Sequence, residues 1–260
     1  MHRLVISILL IVGIIFSVYL VLQNTSLFSK AAPDISPKSV TISNISDSSF
    51  TVSWVTDNET IGFVKYSEDL SLNKSAYDDR GEGSKARVTH FVVLKDLSPK
   101  QNYLFKISSA GQVFGLGQNN FEQQTAPVTE ETPSLPILTF GKIKKKNNEI
   151  PKEAIVYLKL PNSTTLSTST GDDGNYLITV TNARKIDLSS YIEVKDEDAG
   201  EVWVEGGTDG KLQSQQIKIN NSQALADLTL EEPVIVTRSC KKGEGCAFSN
   251  AYWIKWLLKL

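Results

Sequence analysis

The feature that most constrains the fold is a hydrophobic period of two residues that persists through most of the chain. In the stretch SSFTVSWVTD, Phe50, Val52 and Trp54 alternate with Thr51 and Ser53. Such alternation is typical of β-strands with one face turned to a core, and no helical period separates the runs. Short runs of this kind, bounded by Ser, Asn, Asp and Gly, predict a β-sandwich and not βαβ units.

The pattern is interrupted once, in the stretch APVTEETPSLP from Ala126 to Pro136. Its prolines and adjacent acids predict an extended, solvated linker and a domain boundary. The strand runs before it are SVTISNIS, SFTVSWVTD, GFVKYSE, THFVVLKDL, NYLFKISSAG and QVFGLG, and those after it are FGKI, AIVYLKL, TTLSTST, NYLITV, GEVWVEGG, SQQIKIN and ALADLTL. The sequence therefore predicts an all-β chain of two tandem β-sandwiches, at 37–126 and 137–232, with a linker at 127–136.

The N-terminal stretch from Leu4 to Leu22 carries no charge. A helix of roughly 20 apolar residues spans a bilayer, so residues 1–23 are predicted to form an uncleaved signal anchor. Arg3 would stay in the cytoplasm, and everything after Gln23, beginning with a tether at 24–36, would lie outside the cell as a single-pass ectodomain. The alternative is a cleaved secretory signal, whose apolar region is usually only ~7–15 residues long.

The composition argues against nucleic-acid binding and against most kinds of catalytic and metal site. A formal net charge of -2 gives no electrostatic reason to expect a nucleic-acid partner. The chain has two histidines, two cysteines and one methionine, and no Gly-x-Ser-x-Gly, His-Glu-x-x-His or phosphate-loop motif. His90, the only histidine after the predicted anchor, is expected to be a surface or partly buried structural residue. The sequence therefore predicts no catalytic residue, no cofactor and no metal site.

Two cysteines, Cys240 and Cys246, bracket the sequence KKGEG near the C-terminus. Outside the cytoplasm, the favoured state of such a pair is a local disulfide that closes a small loop. The surrounding tail, 233–260, ends in an aromatic segment that includes Trp253 and Trp256. This segment is too short to span a bilayer, and it fits either a helix docked on a domain or one lying in the membrane interface.

Three further features have a plain surface interpretation. The acidic clusters at 172–173 and 196–198 are expected to be solvated turns, with calcium binding as the alternative. The basic run 144–146 is expected to be a solvated loop. Sequons for N-glycosylation occur at Asn44, Asn58, Asn73 and Asn162.

The stretch DDRGEGSK, from Asp78 to Lys85, is the candidate recognition loop. It is long, polar and placed between two predicted strands, and loops on rigid scaffolds commonly carry recognition. The residues expected to contact a partner are Asp78, Asp79, Arg80, Glu82 and Lys85. The Arg-Gly-Glu triplet within it is not the Arg-Gly-Asp adhesion triplet.

Residues 33–126 resemble a fibronectin type III module, close to the version that precedes the catalytic domain of purple acid phosphatases. The resemblance lies in PKSVTISNISDSSFTVSWVTD with Trp54, in GFVKYSED, and in VLKDLSPKQNYLFKISSAG with its spacing of Leu97, Pro99 and Tyr103. It implies a core tryptophan and a tyrosine corner, in which the Tyr103 hydroxyl bonds nearby backbone.

Residues 137–232 look like a carboxypeptidase-regulatory-like or collagen-adhesin B-type sandwich. The resemblance lies in FGKIKKKNNEIPKEAIVYLKL and STSTGDDGNYLITV, where GDDG is a turn-forming stretch that such families place in a hairpin. Both families are generally accessory, adhesive or spacer modules of exported proteins.

These features predict a non-catalytic, membrane-anchored exported protein that acts as a binding, adhesion or envelope-structural module. The expected partner is an extracellular protein or glycan. The alternative is an accessory subunit of an exported hydrolase or secretion complex, with catalysis supplied by another chain. A purely mechanical spacer role is the third possibility.

Overall fold

The computed structural model describes residues 34–78, 80–81, 85–130, 135–220 and 224–232. By its contacts the chain divides into two compact units, 1–34 and 35–260. The predicted anchor, most of the tether, and the tail with Cys240 and Cys246 lie outside the described residues. Within the described ranges, no helix is both long enough and apolar enough to cross a membrane.

Before the linker, the described residues form eight strands in two antiparallel sheets. One sheet has the order β1-β2-β5, and the other has the order β4-β3-β6, with β7 and β8 both pairing with β6. The strands are β1 (Lys38–Ser43), β2 (Phe50–Thr60), β3 (Gly62–Ser67), β4 (Lys74–Tyr77), β5 (Arg87–Leu94), β6 (Asn102–Ser109), β7 (Gln112–Phe114) and β8 (Phe121–Gln124). All six predicted runs are strands, whereas β4 and β8 were missed because KSAY and FEQQ are short and mostly polar.

The two sheets of this first sheet pair enclose one core rich in aromatic side chains. Phe50, Val52 and Trp54 all point into it and are fully buried, as their alternation predicts. Across the core they meet Tyr103 and Phe105 of β6, and the Phe50 and Phe105 ring centroids lie 5.9 Å apart. Burial of large rings of this kind supplies most of the hydrophobic stabilisation in a small core.

After the linker, the part of the chain that the structure describes contains seven strands, which form a second sheet pair. One sheet has the order β11-β10-β13-β14, and the other has the order β12-β9-β15. The strands are β9 (Leu138–Lys145), β10 (Ile155–Lys159), β11 (Leu166–Ser169), β12 (Asn175–Thr179), β13 (Ala199–Glu205), β14 (Lys211–Lys218) and β15 (Leu228–Leu230). They coincide with the seven predicted runs, and β15 runs parallel to β9.

The stretch GDDG does not close a hairpin. The strand before it, β11, pairs with β10, and the strand after it, β12, pairs with β9 in the opposite sheet. Gly174 adopts a φ of 79°, and its N–H donates to the Gly171 carbonyl at 2.9 Å. The turn therefore carries the chain from one sheet to the other, and the hairpin expected from the family resemblance is wrong here.

The basic run 144–146 does not lie wholly in a loop, as the sequence predicted. Lys144 and Lys145 belong to the end of β9. The ammonium group of Lys144 pairs with the Asp227 carboxylate, and that of Lys145 lies 2.7 Å from the Glu149 carboxylate. The sequence did not reveal these partners because Asp227 reaches β9 only through the parallel pairing of β15.

The outer face of the sheet β1-β2-β5 is covered by the sheet that contains β10. A small cluster of Phe91, Ile155 and Tyr157 forms the apolar centre of this inter-sheet interface. Ser53, on the face opposite to Trp54, is fully buried, and its hydroxyl lies 2.9 Å from the Tyr157 hydroxyl. Because both hydroxyls are buried and paired with each other, neither is left with an unmet hydrogen bond.

The strand β10 is buried on both of its faces. Val156 and Leu158 point into the core of the second sheet pair, whereas Ile155 and Tyr157 point into the inter-sheet interface, and all four are fully buried. The Tyr157 ring also stacks on Trp203 of β13, with centroids 5.1 Å apart. The uninterrupted apolar run AIVYL is thus explained by a strand that lies between two hydrophobic clusters.

Candidate interaction site

The candidate recognition loop begins with a buried ion pair. Asp78 is 4% exposed, and its carboxylate lies 2.6 Å from the Arg80 guanidinium and accepts the Phe91 N–H at 3.0 Å. Burial by itself raises the pKa of the Asp78 carboxyl, but Arg80 and the Phe91 N–H outweigh burial and hold the pKa below its ordinary value. The expectation that Asp78 is exposed to a partner is therefore wrong.

The other predicted residues of the loop have different environments. Arg80 is half-buried and donates to the Thr89 carbonyl at 2.5 Å. Lys85 is half exposed, and its ammonium group lies 3.6 Å from the Glu153 carboxylate. Asp79 and Glu82 lie outside the described residues. A role for this loop in recognition stays a prediction.

The base of the loop is tied to the second sheet pair. Arg87 is nearly buried, and its guanidinium donates to the Glu153 carboxylate and to the Arg80 carbonyl. The Thr89 hydroxyl donates to the Glu153 carbonyl at 3.3 Å. A charge as buried as Arg87 is strongly disfavoured without such a partner, so Glu153 fixes the loop against the neighbouring sheet.

His90 is a buried packing residue. Its ring stacks on Trp54 with centroids 4.6 Å apart, and its Nε2 lies 3.1 Å from the Thr60 hydroxyl. Burial lowers the pKa of His90 to about 4. The sequence correctly assigned His90 a structural role, but His90 is 1% exposed and not a surface or partly buried residue. Gly62 makes this packing possible, since a Cβ there would lie 2.6 Å from both rings.

The core signature of the first sheet pair has the expected geometry. Trp54, Leu97 and Tyr103 are all buried, whereas Pro99 is exposed, so its assignment to the core is wrong. The Tyr103 hydroxyl accepts the Ser98 N–H at 2.8 Å, which is the backbone bond of a tyrosine corner. The Leu97 N–H in turn donates to the Ser48 carbonyl at 2.9 Å. These residues hold the turn after β5 in place and are structural.

At the other end of the interface, Asn44 closes the edge of β11. The Asn44 N–H donates to the Thr165 carbonyl at 2.9 Å, and its side-chain amide both donates to the Ser167 carbonyl and accepts the Ser167 N–H, each at 2.9 Å. Asn44 thereby takes the place of a neighbouring strand. Its Nδ2 is engaged in this pairing, so glycosylation of this sequon is incompatible with the interface.

Beside Asn44 lies an inter-sheet groove of about 430 Å³. The first sheet pair contributes the turn after β1, and the second contributes the edges of β11 and β12 and the segment after β12. Three of its lining residues, Ile45, Leu166 and Ile178, are apolar and buried, and we call them its floor; the lining residues with hydroxyl or amide groups are called its rim. None of the lining residues is charged. The residues that line it are Asn44, Ile45, Ser46, Ser49, Leu166, Ser167, Thr168, Leu177, Ile178, Thr179, Asn182 and Tyr191.

The acidic clusters are parts of ordinary turns. The Asp173 carboxylate accepts the Asn175 N–H at 3.0 Å, and the Asp198 carboxylate accepts the Lys195 N–H at 2.8 Å. Glu197 pairs with Lys218 at 2.9 Å. In the part of the chain that the structure describes, no group of three or more acidic, histidine or cysteine side chains is arranged to hold a metal ion.

Sequence reasoning missed both the groove and the interface beside it. The contacts between the sheet pairs join residues more than sixty positions apart, such as Arg87 and Glu153, or Ser43 and Ser167, whose hydroxyls lie 2.6 Å apart. The available signals were the uninterrupted apolar run of β10 and the small hydroxyl side chains on the face of β2 opposite to Trp54. Neither signal identifies which surfaces meet.

Residues 37–125 match the family model of the purple acid phosphatase N-terminal domain. This match covers the first sheet pair, as the sequence resemblance predicted, and stops before β9. A comparison with curated proteins found no match to the chain.

Among solved structures, the chain is similar to the FN1–FN3 domains of chicken CNTN1, at 14% identity and a TM-score of 0.26. It is also similar to the central fibronectin-III array of RIM-binding protein, at 13% identity and a TM-score of 0.22. The matches cover 66% and 75% of this chain, respectively. The chain spans 61% of the length of the first structure and 66% of that of the second.

Proposed function

We propose that this chain is a non-catalytic, membrane-anchored exported protein that presents two tandem β-sandwiches as one rigid binding module. Residues 1–23 anchor it, and the sandwiches face the cell exterior, where they bind a protein or glycan partner in adhesion or envelope organisation. The observation that carries the proposal is the buried interface between the two sheet pairs, centred on Phe91, Ile155 and Tyr157.

This interface supports a binding role because it fixes the relative position of surfaces from both sandwiches. Domains joined only by a flexible linker move relative to each other unless their shared interface is well packed. Here apolar packing is combined with buried polar contacts, including Ser53 to Tyr157 and Arg87 to Glu153. Loops at the junction are therefore preorganised, which lowers the entropic cost of binding a partner.

An accessory role beside a hydrolase is the second candidate. The match of residues 37–125 to the N-terminal domain of purple acid phosphatases favours it, since that domain accompanies a catalytic domain in those enzymes. In this chain the catalytic part would have to come from another protein.

The test is photo-cross-linking on intact cells that carry the full chain, with the cross-linker placed at Lys85 and, in a parallel sample, at Leu177. We expect one partner whose recovery saturates as the chain concentration rises. The matched control for the Lys85 sample keeps Asp78, Arg80 and Lys85 and scrambles residues 82–84, so that the buried ion pair survives. The control for the Leu177 sample is competition by an excess of the chain without cross-linker. If recovery from neither position rises above its own control, the binding role is wrong and a spacer role replaces it. A hydrolase as the saturable partner would select the accessory role.

A further inference from the structure

The edge of β12 that faces the groove has unpaired backbone groups. The Val180 N–H donates to the Ile137 carbonyl at 2.8 Å, and the Ile143 N–H donates to the Gly174 carbonyl at 2.9 Å. In an antiparallel ladder, hydrogen-bonded pairs alternate with non-hydrogen-bonded pairs. Tyr176 and Ile178 are therefore the residues of β12 that bond β9.

Leu177 lies between those two residues and is paired with Phe140 in the register of β12 and β9. The Phe140 carbonyl turns the other way and accepts the Leu225 N–H at 2.9 Å, which confirms that this is a non-hydrogen-bonded pair. The Leu177 N–H and carbonyl and the Thr179 N–H thus point away from β9. Among the described residues, none supplies them with a partner across the groove.

The two strand edges beside the groove differ in this respect. The edge of β11 is closed by the Asn44 backbone and side chain, as described above. The edge of β12 is open, and Leu177 is 54% exposed. An open edge next to an apolar floor is a template for a further strand, because the incoming backbone satisfies the free donors and acceptors.

The far wall of the groove is fixed in place. Tyr191 lines the groove, and the Arg184 guanidinium lies 3.9 Å from the centre of its ring. Arg184 is 1% exposed, and its backbone is held by Thr164, whose N–H donates to the Arg184 carbonyl at 2.8 Å. A ring clamped in this way keeps the groove open before a partner arrives.

We propose that the inter-sheet groove binds an extended, uncharged polypeptide segment of a partner protein, which adds as a strand to the open edge of β12. The absence of charge among the lining residues selects against a charged segment, whose desolvation nothing in the groove would offset. The hydroxyl and amide rim fits small polar side chains, and the floor fits apolar side chains at alternate positions. This inference rests on the proposed function, since it assigns that function a site and a partner class.

The test uses the full chain in nanodiscs and a capped octapeptide of alternating valine and threonine as the probe. Hydrogen exchange is followed at single amides. We expect the Leu177 and Thr179 amides to exchange at least about tenfold more slowly when the peptide is bound, because strand addition gives both N–H groups a partner. A second peptide, with lysine in place of threonine, is expected to bind at least about tenfold more weakly.

Two variants distinguish the contribution of the Leu177 backbone N–H to peptide binding from that of the Leu177 side chain. Leu177→Pro removes the outward N–H, a change that an edge strand tolerates at such a position, and should weaken peptide binding about tenfold. Leu177→Ala keeps the N–H and should bind within about threefold of the wild type. Protection of the Tyr176 and Ile178 amides shows whether each variant keeps the pairing of β12 with β9.

Unchanged exchange of the Leu177 and Thr179 amides in the wild type, even at millimolar peptide, overturns the inference regardless of how the variants behave. Equal binding by the proline variant and the wild type also overturns it. If the peptide result overturns strand addition while a saturable partner is still captured from the Lys85 position on cells, this inference is wrong but the proposed function stands. If the groove passes while no partner is captured from either position, the proposed cell-surface function is wrong instead.

Discussion

The two sheet pairs fill their cores with different kinds of side chain. The first core contains a tryptophan, two phenylalanines and two tyrosines among its buried members, including Phe50, Trp54 and Tyr103. The second core is aliphatic, and Tyr176 is the only aromatic among the buried members of its cluster. Both cores consist of buried side chains. They differ in how much of the buried volume each single residue supplies, which is larger in the aromatic core.

The aromatic core lies in the part of the chain that matches a family model, and aromatic residues leave the more readable pattern in the sequence. A large ring fits few positions, so its spacing from other large rings and from Pro99 leaves a readable pattern in the sequence. Aliphatic residues can exchange with one another at small cost if the volume is kept, so an aliphatic core leaves a weaker pattern. The match at 37–125 accordingly ends where the aromatic core ends.

The largest effect is expected from truncating the main ring of the aromatic core. Trp54→Ala should lower the free energy of unfolding by about 3–5 kcal/mol, because a fully buried indole leaves a cavity that its neighbours cannot fill. The matched change in the aliphatic core, Leu158→Ala, should cost about 2–4 kcal/mol. Calorimetry of the full chain measures both.

The same experiment tests whether the inter-sheet interface couples the two cores. We expect both variants to lower one shared thermal transition, because Tyr157 and Phe91 join the sheet pairs through buried contacts. Two separate transitions, with Trp54→Ala moving only one and Leu158→Ala only the other, would show that the cores unfold independently.

Acid should destabilise the first sheet pair in a defined pH window. The folded-state pKa of His90 is about 4 against an ordinary value of 6.5, so the unfolded chain takes up the proton more readily. Stability is therefore complete above about pH 6.5, falls as the pH drops towards 4, and loses ~3 kcal/mol in total. The lowered pKa of Asp78 adds its own loss only below its ordinary value of 3.8.

Urea unfolding between pH 7 and pH 4 measures this loss, and His90→Gln is the control. Because the second sheet pair contains no histidine, the variant should lose most of the pH dependence in this window. An NMR titration that gives His90 a pKa near 6.5 would contradict the expectation, since it would mean that the ring is hydrated and not enclosed by Trp54 and Gly62.

The smallest effect distinguishes two buried tyrosine hydroxyls. Tyr157→Phe removes the partner of the buried Ser53 hydroxyl at the interface and should cost about 1 kcal/mol. Tyr176→Phe removes a buried hydroxyl that has no hydrogen-bond partner, so it should be neutral or slightly stabilising. Burial raises the pKa of both phenols, and that of Tyr176 to about 12, so both are neutral throughout the accessible pH range. Urea midpoints of the two variants, measured under the same conditions, test this difference. If both variants lose the same free energy of unfolding, the proposed difference between the two hydroxyls is wrong.

Much of the local structure was predictable from the sequence. Every predicted strand run is a strand, and alternation correctly placed Phe50, Val52 and Trp54 in a core. The spacing of Leu97 and Tyr103 correctly indicated a tyrosine corner. These features are local or depend on a few strongly apolar residues, so they leave a direct trace in the order of amino acids.

The candidate site was less predictable, because it depends on which surfaces meet. The sequence treated Asp78 as a loop residue open to partners, yet the chain folds it into an ion pair beneath the loop. It placed Thr51 and Ser53 on the face of β2 opposite to Trp54 without assigning that face a partner, yet Tyr157 covers Ser53. Polar side chains of this kind are equally compatible with water and with a matched polar partner, so their pattern alone does not distinguish the two.

By itself, the sequence determined that this protein is all-β, that its strands fall into two groups around a proline-rich break, and that Trp54 and Tyr103 organise the first group. The tertiary structure alone decided that the two groups share a buried interface, that Asn44 closes the edge of β11, and that no described residue pairs with the outer edge of β12. The physical reason is that a strand's hydrophobic period records which of its faces is buried. Which strand edge is left without a partner depends on contacts between residues far apart in the chain.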